Sequence, residues 1–517
     1  MAGNRISNMV STFMNRQSDG RRQASRRVWR LYFVVVYLSV LLASLNFAFY
    51  GASFIKGLLA ITLLNVCLYP TARYFARDEG GVPVFPALCL SYAVQFAIPI
   101  FTKEPGITLV HGVTSLNDSD VVSALLLSIG GVCALQLGYY GLQTGKLAKA
   151  MPVVDLHLNE KKATIYCVLV GILLPVILGL RNVITEQSSL QFAAVFTLLQ
   201  NQQLVVIGIL GWLVYSGRGT QWHRLLLFCV VGIMIWRGLS SAFLEQAVIP
   251  VAVLFVTRWR YSKRLSIAGI ASIVFIIIFL SPVKGTYRQV VWSESAEATA
   301  IVDSKLGSAL LWVEQASRYW IDTLTGDREL ADATSDVTSR TDLIHQFAHI
   351  YSLTPEIVPF QYGGTYSYFA VALIPRAVWP DKPQAGSANS FFAVAYNITT
   401  EEGVTRTTFG VSLLGEGYIN FGIPGVVFIM ALQGVILIIL QHIFGGAKSG
   451  AGGQAVFLAF FIFFLNGVGT SAEIFFGNIV QNLLCSCFLL WWARERPSLR
   501  HHKSVEIRGA APFTVVK

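Results

Sequence analysis

Apolar runs long enough to cross a hydrocarbon core of about 30 Å recur along this chain from residue 31 to residue 492. Polar breaks between them place twelve predicted helical spans at approximately 31–49, 53–69, 82–101, 121–142, 163–180, 198–215, 225–237, 240–256, 266–282, 422–442, 454–468 and 474–492. The segment before LQNQQ (199–203), at the start of the sixth, suits a helix lying flat at the interface. Spans seven and eight are short. The alternating ten-residue segments of a membrane β-barrel are absent. The pattern therefore predicts an all-α polytopic membrane protein of about 12 transmembrane helices.

The pattern leaves one large connection, residues 284–421, and divides the chain into five parts. These are a basic arm (1–30), spans one to nine (31–283), the large loop (284–421), spans ten to twelve (422–492) and a tail (493–517). The loop is too rich in apolar and aromatic residues for a disordered linker. Within it, KLGSALLWVEQASRYWIDTL (305–324) sets Leu306, Leu310, Val313, Trp320 and Leu324 near one helical face, as in an amphipathic helix at a membrane surface. TDLIHQFAHIY (341–351) predicts a second helix with Thr341 as N-cap. QYGGTYSYFAVALIPR (361–376) is apolar but too short to span, which suits a re-entrant or interfacial segment lining a protein cavity.

Composition sharpens this picture. The chain is 54% hydrophobic and 13% charged, with mean hydropathy +0.58, whereas soluble domains carry about 25% charged residues. A net charge of +11 invites a nucleic-acid reading, but its distribution argues for topology instead. Arg21, Arg22, Arg26, Arg27 and Arg30 precede the first span, Arg258, Arg260, Lys263 and Arg264 follow the eighth, and Arg494, Arg496, Arg500 and Lys503 follow the last. By the positive-inside rule both termini are cytoplasmic and the large loop is extracytoplasmic. Residues 31–50 are long enough to remain as a signal anchor. The seven cysteines fall inside predicted spans without the company a metal site needs, and read as packing residues.

The large loop carries nine lysines and arginines, among them Arg288, Arg340, Arg376, Lys382 and Arg406, where the topology rule disfavours them. Arginine grips phosphate bidentately and lysine acts as a point charge, so such a set at the outer surface suits an anionic lipid headgroup. Lys305, Arg318 and Arg328 read as ordinary solvated or ion-paired charges. Arg237, inside span seven, is costly in lipid. It either serves function or pairs with Glu245, eight residues on. In LIPRAVWPDKP (373–383) three prolines stiffen a charged knot holding Arg376, Asp381 and Lys382. Two readings stand there: a substrate-site wall, or a structural turn anchored by Trp379.

Glu416 lies between two glycines in FGVSLLGEGYINFGIPG (409–425). Glycine allows close backbone approach, and a carboxylate at a low-dielectric boundary suits a general base. The alternative is a pair with a loop arginine, and Asp381 is the competing acid. His345 and His349, spaced i,i+4, read as packing or sugar contacts, with either able to act as a base. NDSD (117–120) reads as a helix cap rather than a metal-binding D-x-D. Asn478, Gln481 and Asn482 form a polar stripe expected to face the bundle interior. No nucleotide-binding P-loop or G-x-S-x-G elbow occurs.

The runs QYGGTYSYFAVALIPRAVWPDKP and LGEGYINFGIPG, on this topology, resemble the Wzy-type polymerases of polyprenyl-diphosphate-linked oligosaccharide repeat units. WRGLSSAFLEQ (236–246) resembles the arginine-bearing hairpin those proteins have before the loop. The resemblance implies a GT-C-like fold and a metal-independent glycosyltransferase needing no cofactor. Lipid-linked oligosaccharide is both donor and acceptor, on the outer face of a bacterial inner membrane. It implies a diphosphate clamp of Arg376 and Lys382, supported by Arg288, Arg340, Arg237 and Arg406, and a base at Glu416 ahead of His345 or Asp381. A flippase and a chain-length regulator of the same pathway are the implied partners, besides membrane lipid; nucleic acid is not one. The related O-antigen ligases are the near alternative, and a lipid-linked sugar transporter is the alternative of another class.

Overall fold

The computed structural model describes residues 23–41, 44–45, 54–77, 82–101, 107–110, 112–143, 151–177, 193–241, 243–262, 267–291, 305–328, 341–367, 369, 374, 379, 387–406 and 409–495. Among these, the chain is helical apart from a short antiparallel pair, β1 (Ile107–Leu109) and β2 (Gly112–Thr114). The first half holds α1 (23–41), α2 (Phe54–Arg77), α3 (Val84–Phe96), α4 (Asp118–Gln143) and α5 (Glu160–Val168, continued by a π-turn). There follow α6 (Ala193–Tyr215), α7 (Gln221–Ser240), α8 (Leu244–Ser262) and α9 (Ile267–Leu280). The large connection contains α10 (Lys284–Val291), α11 (Lys305–Thr325), α12 (Ile344–Leu353), α13 (Ser387–Ala395) and α14 (Gly403–Arg406). The chain closes with α15 (Leu413–Leu440), α16 (Gly450–Asn466) and α17 (Ala472–Ala493).

Among the described residues the predicted spans overlie helices, and eight helices are long and apolar enough to cross a membrane: Phe54–Arg77, Val84–Phe101, Asp118–Leu142, Phe196–Tyr215, Gln221–Ser240, Leu413–Gly445, Gly450–Gly469 and Ala472–Ala493. The remaining four predicted spans coincide with α1, α5, α8 and α9, which stand outside that set. Helix α6 runs continuously through LQNQQ, where Gln202 and Gln203 are buried. The tenth predicted span matches the part of α15 that follows a break at Phe421–Gly422, and Leu413–Asn420 precede it as a further helical stretch.

The bundle is held by close backbone approach and by polar bonds between helices. The tightest crossing is α4 on α15, where a Cβ on Gly138 would lie 2.2 Å from the Ala431 carbonyl oxygen and one on Gly434 2.2 Å from that of Leu135. Small residues at such crossings let the backbones meet. The Tyr92 hydroxyl donates to Gln433 Oε1 (2.8 Å), Tyr139 to Gln441 Oε1 (2.6 Å) and Ser486 to Gln202 Oε1 (2.8 Å). In α17 the expected polar stripe turns inward at Asn482, which is buried and donates to the Asn478 carbonyl.

Alternating helix directions collect the chemistry at two ends. One end is basic. There Lys162 Nζ donates to the Trp492 carbonyl, Arg218 pairs with Glu160 (3.2 Å), Arg73 lies 3.7 Å above the Tyr140 ring, and Leu156 N–H donates to the Ser449 carbonyl. The opposite end carries the starts of α4, α6, α8, α15 and α17, the end of α7 and the helices of the large connection. NDSD sits there as the start of α4, with Asn117 Nδ2 donating to Asp120 and Asp118 paired to Lys56 at 2.7 Å.

Candidate functional site

At that second end, α15 is bent. Phe421 and Gly422 leave helical geometry (Gly422 φ +62°), so Leu413–Asn420 forms a separate short helix folded against the membrane-crossing part. A Cβ on Gly425 would lie 2.0 Å from the Gly417 carbonyl oxygen, so only glycine permits the two halves to meet this closely. The break frees carbonyls that a helix would otherwise consume. Gln361 and Tyr362 N–H take those of Ile419 and Asn420 at 3.0 and 3.1 Å, and Gly363 N–H takes Asn420 Oδ1 at 2.9 Å. Gly363 can follow this path because its φ is +91°. The first residues of the expected re-entrant segment are thus docked on the kink.

Glu416 stands at the centre of this junction and is fully buried. The expectation of a flexible, glycine-flanked loop carboxylate is corrected. Ser412 caps the short helix by accepting from Gly415 N–H (3.0 Å), and Glu416 lies in its first turn. Thr365 Oγ donates to its Oε1 at 2.8 Å, while Oε2 accepts the N–H of Ala472, the first amide of α17, at 2.5 Å. Thr365 also accepts from Asn420 Nδ2 (2.7 Å). Ser471 precedes α17 in the N-cap position, yet its buried hydroxyl has no partner. Glu416 supplies the missing acceptor, with its charge at the positive end of the helix dipole. It joins three elements distant in sequence, and neither contact is with a loop arginine.

Beside it, α12 carries a buried dyad. His345 Nδ1 lies 2.6 Å from Asp342 Oδ2, with the two side chains 8% and 6% exposed. Asp342 Oδ1 also accepts the His345 N–H (3.2 Å), so Asp342, rather than Thr341, closes the start of α12. A carboxylate oxygen accepts here, so His345 Nδ1 donates to Asp342 and Nε2 is the ring nitrogen turned away from it. Among the described residues no partner of Nε2 is found. His349 differs: its Nε2 donates to the Tyr396 carbonyl at 2.9 Å, a structural bond. Phe347 and Tyr351 pack on Tyr418, two residues from Glu416, and Leu343 N–H donates to the Gln95 carbonyl.

A third feature lies between α6, α7, α8 and α16. A cavity of about 230 Å³ is lined by Thr197, Gln200, Asn201, Gln203, Arg237, Glu245 and Gln246, with Ile462 and Phe463 as its apolar wall. Arg237 Nη1 donates to Gln203 Oε1 at 3.3 Å. This turns the Gln203 amide so that Nε2 is a buried donor with no partner. A half-buried guanidinium and an unpaired amide N–H₂ on one cavity form a donor set for oxygen-rich anions. Glu245 lines the same cavity, but the bond that orients Arg237 goes to Gln203.

The structure thus places Glu416 in α15 and the His345 dyad at the start of α12, which packs on α15 through Phe347, Tyr351 and Tyr418, and places Arg237 in a separate cavity at the same end. Arg340, Arg376, Asp381 and Lys382 lie outside the described residues, as do the side chains of Arg288 and Arg406, whose backbones fall in α10 and α14. Thr365, Asn420, Asp342 and Gln203 were not singled out by the sequence. The dense amides of LQNQQ inside an apolar helix were the legible signal for Gln203, and D-x-x-H for the dyad.

Fold and site together define a helical protein with, among the described residues, eight helices long and apolar enough to cross a membrane and with Glu416, the His345 dyad and the Arg237 cavity at one end of the bundle. Residues 135–500, well over half of the chain, match the family described as a domain of unknown function, DUF8712, and the chain belongs to that family. No curated protein and no solved structure matches it.

Proposed function

We propose that the chain is a glycosyltransferase that joins lipid-linked oligosaccharide units at the outer face of a bacterial inner membrane, releasing a polyprenyl diphosphate. The observation that carries this reading is the Arg237–Gln203 cavity, a half-buried guanidinium beside a buried amide donor that no described residue accepts from. Attack of an acceptor hydroxyl on the anomeric carbon expels a diphosphate, whose developing charge needs pre-aimed donors more than it needs a general acid. Arg237 and Gln203 supply them from the described residues, and Arg376 and Lys382, with Arg288, Arg340 and Arg406, belong to the same proposed clamp. The likeness of residues 361–425 to Wzy-type repeat-unit polymerases agrees with this assignment and with cytoplasmic termini.

The hydroxyl proton goes to His345 in this reading. Among the described residues its Nε2 has no partner, and Asp342 engages Nδ1, the arrangement a general base needs. Glu416 has both oxygens engaged and acts by positioning the loop and α17. Extension of a lipid-linked repeat unit by purified protein in lipid nanodiscs tests the proposal. Wild type is expected to form polymer, His345→Gln to lose it while still binding donor, and Arg237→Ala to lose donor binding. Lipid scrambling without any new glycosidic bond would instead establish a transporter, and transfer to a lipid A-core acceptor alone would establish a ligase.

A further inference from the structure

Helix α11 is amphipathic, but its pattern has three sectors rather than two. At about 100° per residue, Trp312, Ala316 and Tyr319 share one face and are buried. Leu310, Val313, Ile321 and Leu324 fall roughly 120° around the axis, and Glu314, Arg318 and Asp322 occupy the remaining third. The apolar sector has no protein partner among the described residues: Leu310 is 61% exposed, Ile321 57% and Leu324 84%. The polar sector is solvated and holds its own Arg318–Glu314 pair at 2.6 Å.

The buried sector fixes the height of the helix. Trp312 stacks on Tyr287 with centroids 4.6 Å apart, inside a small second core with Leu244, Leu280 and Val283. Its indole Nε1 donates to the Leu280 carbonyl (3.1 Å), and Trp320 Nε1 donates to that of Phe279 (3.0 Å). These are last-turn carbonyls of α9, which have no partner within their own helix. The chain of α9 leaves its apolar stretch at that level, and the exposed residues Val274, Phe275 and Ile278 run up to it. The open apolar stripe of α11 therefore continues the apolar surface of α9.

We propose that α11 lies along the outer membrane interface as a lipid-docking helix, its Leu310–Val313–Ile321–Leu324 stripe seated in the acyl-chain boundary. Its second face is bolted to α8–α10 and its third faces water. A stripe meeting lipid, a face meeting protein and a face meeting water, each about a third of the circumference, is the surface an interfacial helix on a membrane protein must present. Tryptophan indoles with one polar and one apolar end suit that level. The helix holds the adjoining loop at a fixed height over the bilayer, and this inference stands independently of the reaction proposed above.

The test is photo-crosslinking of the full chain in phosphatidylethanolamine–phosphatidylglycerol vesicles, with p-benzoylphenylalanine incorporated singly at Leu310, Val313, Ile321, Leu324 or Arg318. Mass spectrometry of the irradiated protein is expected to give lipid adducts at the four apolar positions about five-fold or more above Arg318, as the sector boundaries require. Four separate positions keep the test valid if one variant misfolds. Equal lipid yield at Arg318, crosslinks from the stripe to another segment of the chain, or crosslinks to a second copy would each overturn the proposal.

Discussion

Replacing Glu416 distinguishes a clasp from a catalytic base. In Glu416→Ala the Ala472 N–H, at the start of α17, loses its acceptor in a site with no water access, a loss of about 1–3 kcal/mol. Thr365 loses a hydrogen bond to a carboxylate, worth about 1.5–3 kcal/mol, and the one buried methylene removed contributes roughly 0.8 kcal/mol. Removing a fully desolvated charge offsets part of this. The net expectation is a destabilisation of about 2–4 kcal/mol. Glu416→Gln keeps a carbonyl oxygen for Ala472 and an amide facing Thr365, and is expected to cost about 1 kcal/mol. At roughly 2 °C per kcal/mol, apparent Tm at a fixed scan rate in nanodiscs should fall by about 4–8 °C for Ala and about 2 °C for Gln. Glycan transfer by Glu416→Gln should stay within about ten-fold of wild type, because a clasp preserved in shape preserves the site. An Ala variant within about 1 °C of wild type would falsify the clasp. Total loss of transfer by a thermally normal Gln variant would restore Glu416 as the base.

The remaining expectations probe separate parts of the bundle. Gly425→Ala sets a Cβ 2.0 Å from the Gly417 carbonyl oxygen; the kink cannot close, and size-exclusion chromatography should show the monodisperse peak lost. Trp312→Ala removes a fully buried ring and its bond to Leu280. About 3–5 kcal/mol should be lost, and protease cutting near α11 should accelerate, whereas unchanged proteolysis would contradict the second core. Gln203→Leu leaves Arg237 without its orienting acceptor and removes the free amide donor. Donor binding by microscale thermophoresis should weaken about ten-fold or more, with thermal stability nearly unchanged. His345→Gln and Asp342→Asn should depress kcat more than KM for the acceptor, and an equal fall in both variants fits a dyad acting as a unit.

The apolar periods determined the class and the helix positions, since a lipid solvent demands long apolar helices wherever the chain crosses. Arg237, His345 and Glu416 were also legible, because a polar group in apolar surroundings is conspicuous in any linear reading. Their roles were not, because roles come from partners. Glu416 lies 51 residues from Thr365 and 56 from Ala472, and only the glycine-hinged kink at Phe421–Gly422 brings the three together. Arg237 acquires Gln203 from 34 residues away, through the packing of α7 on α6. Likewise, the sequence showed that α11 is amphipathic, but the division of its apolar residues between protein and lipid was decided by which ones Tyr287 and the end of α9 had already covered.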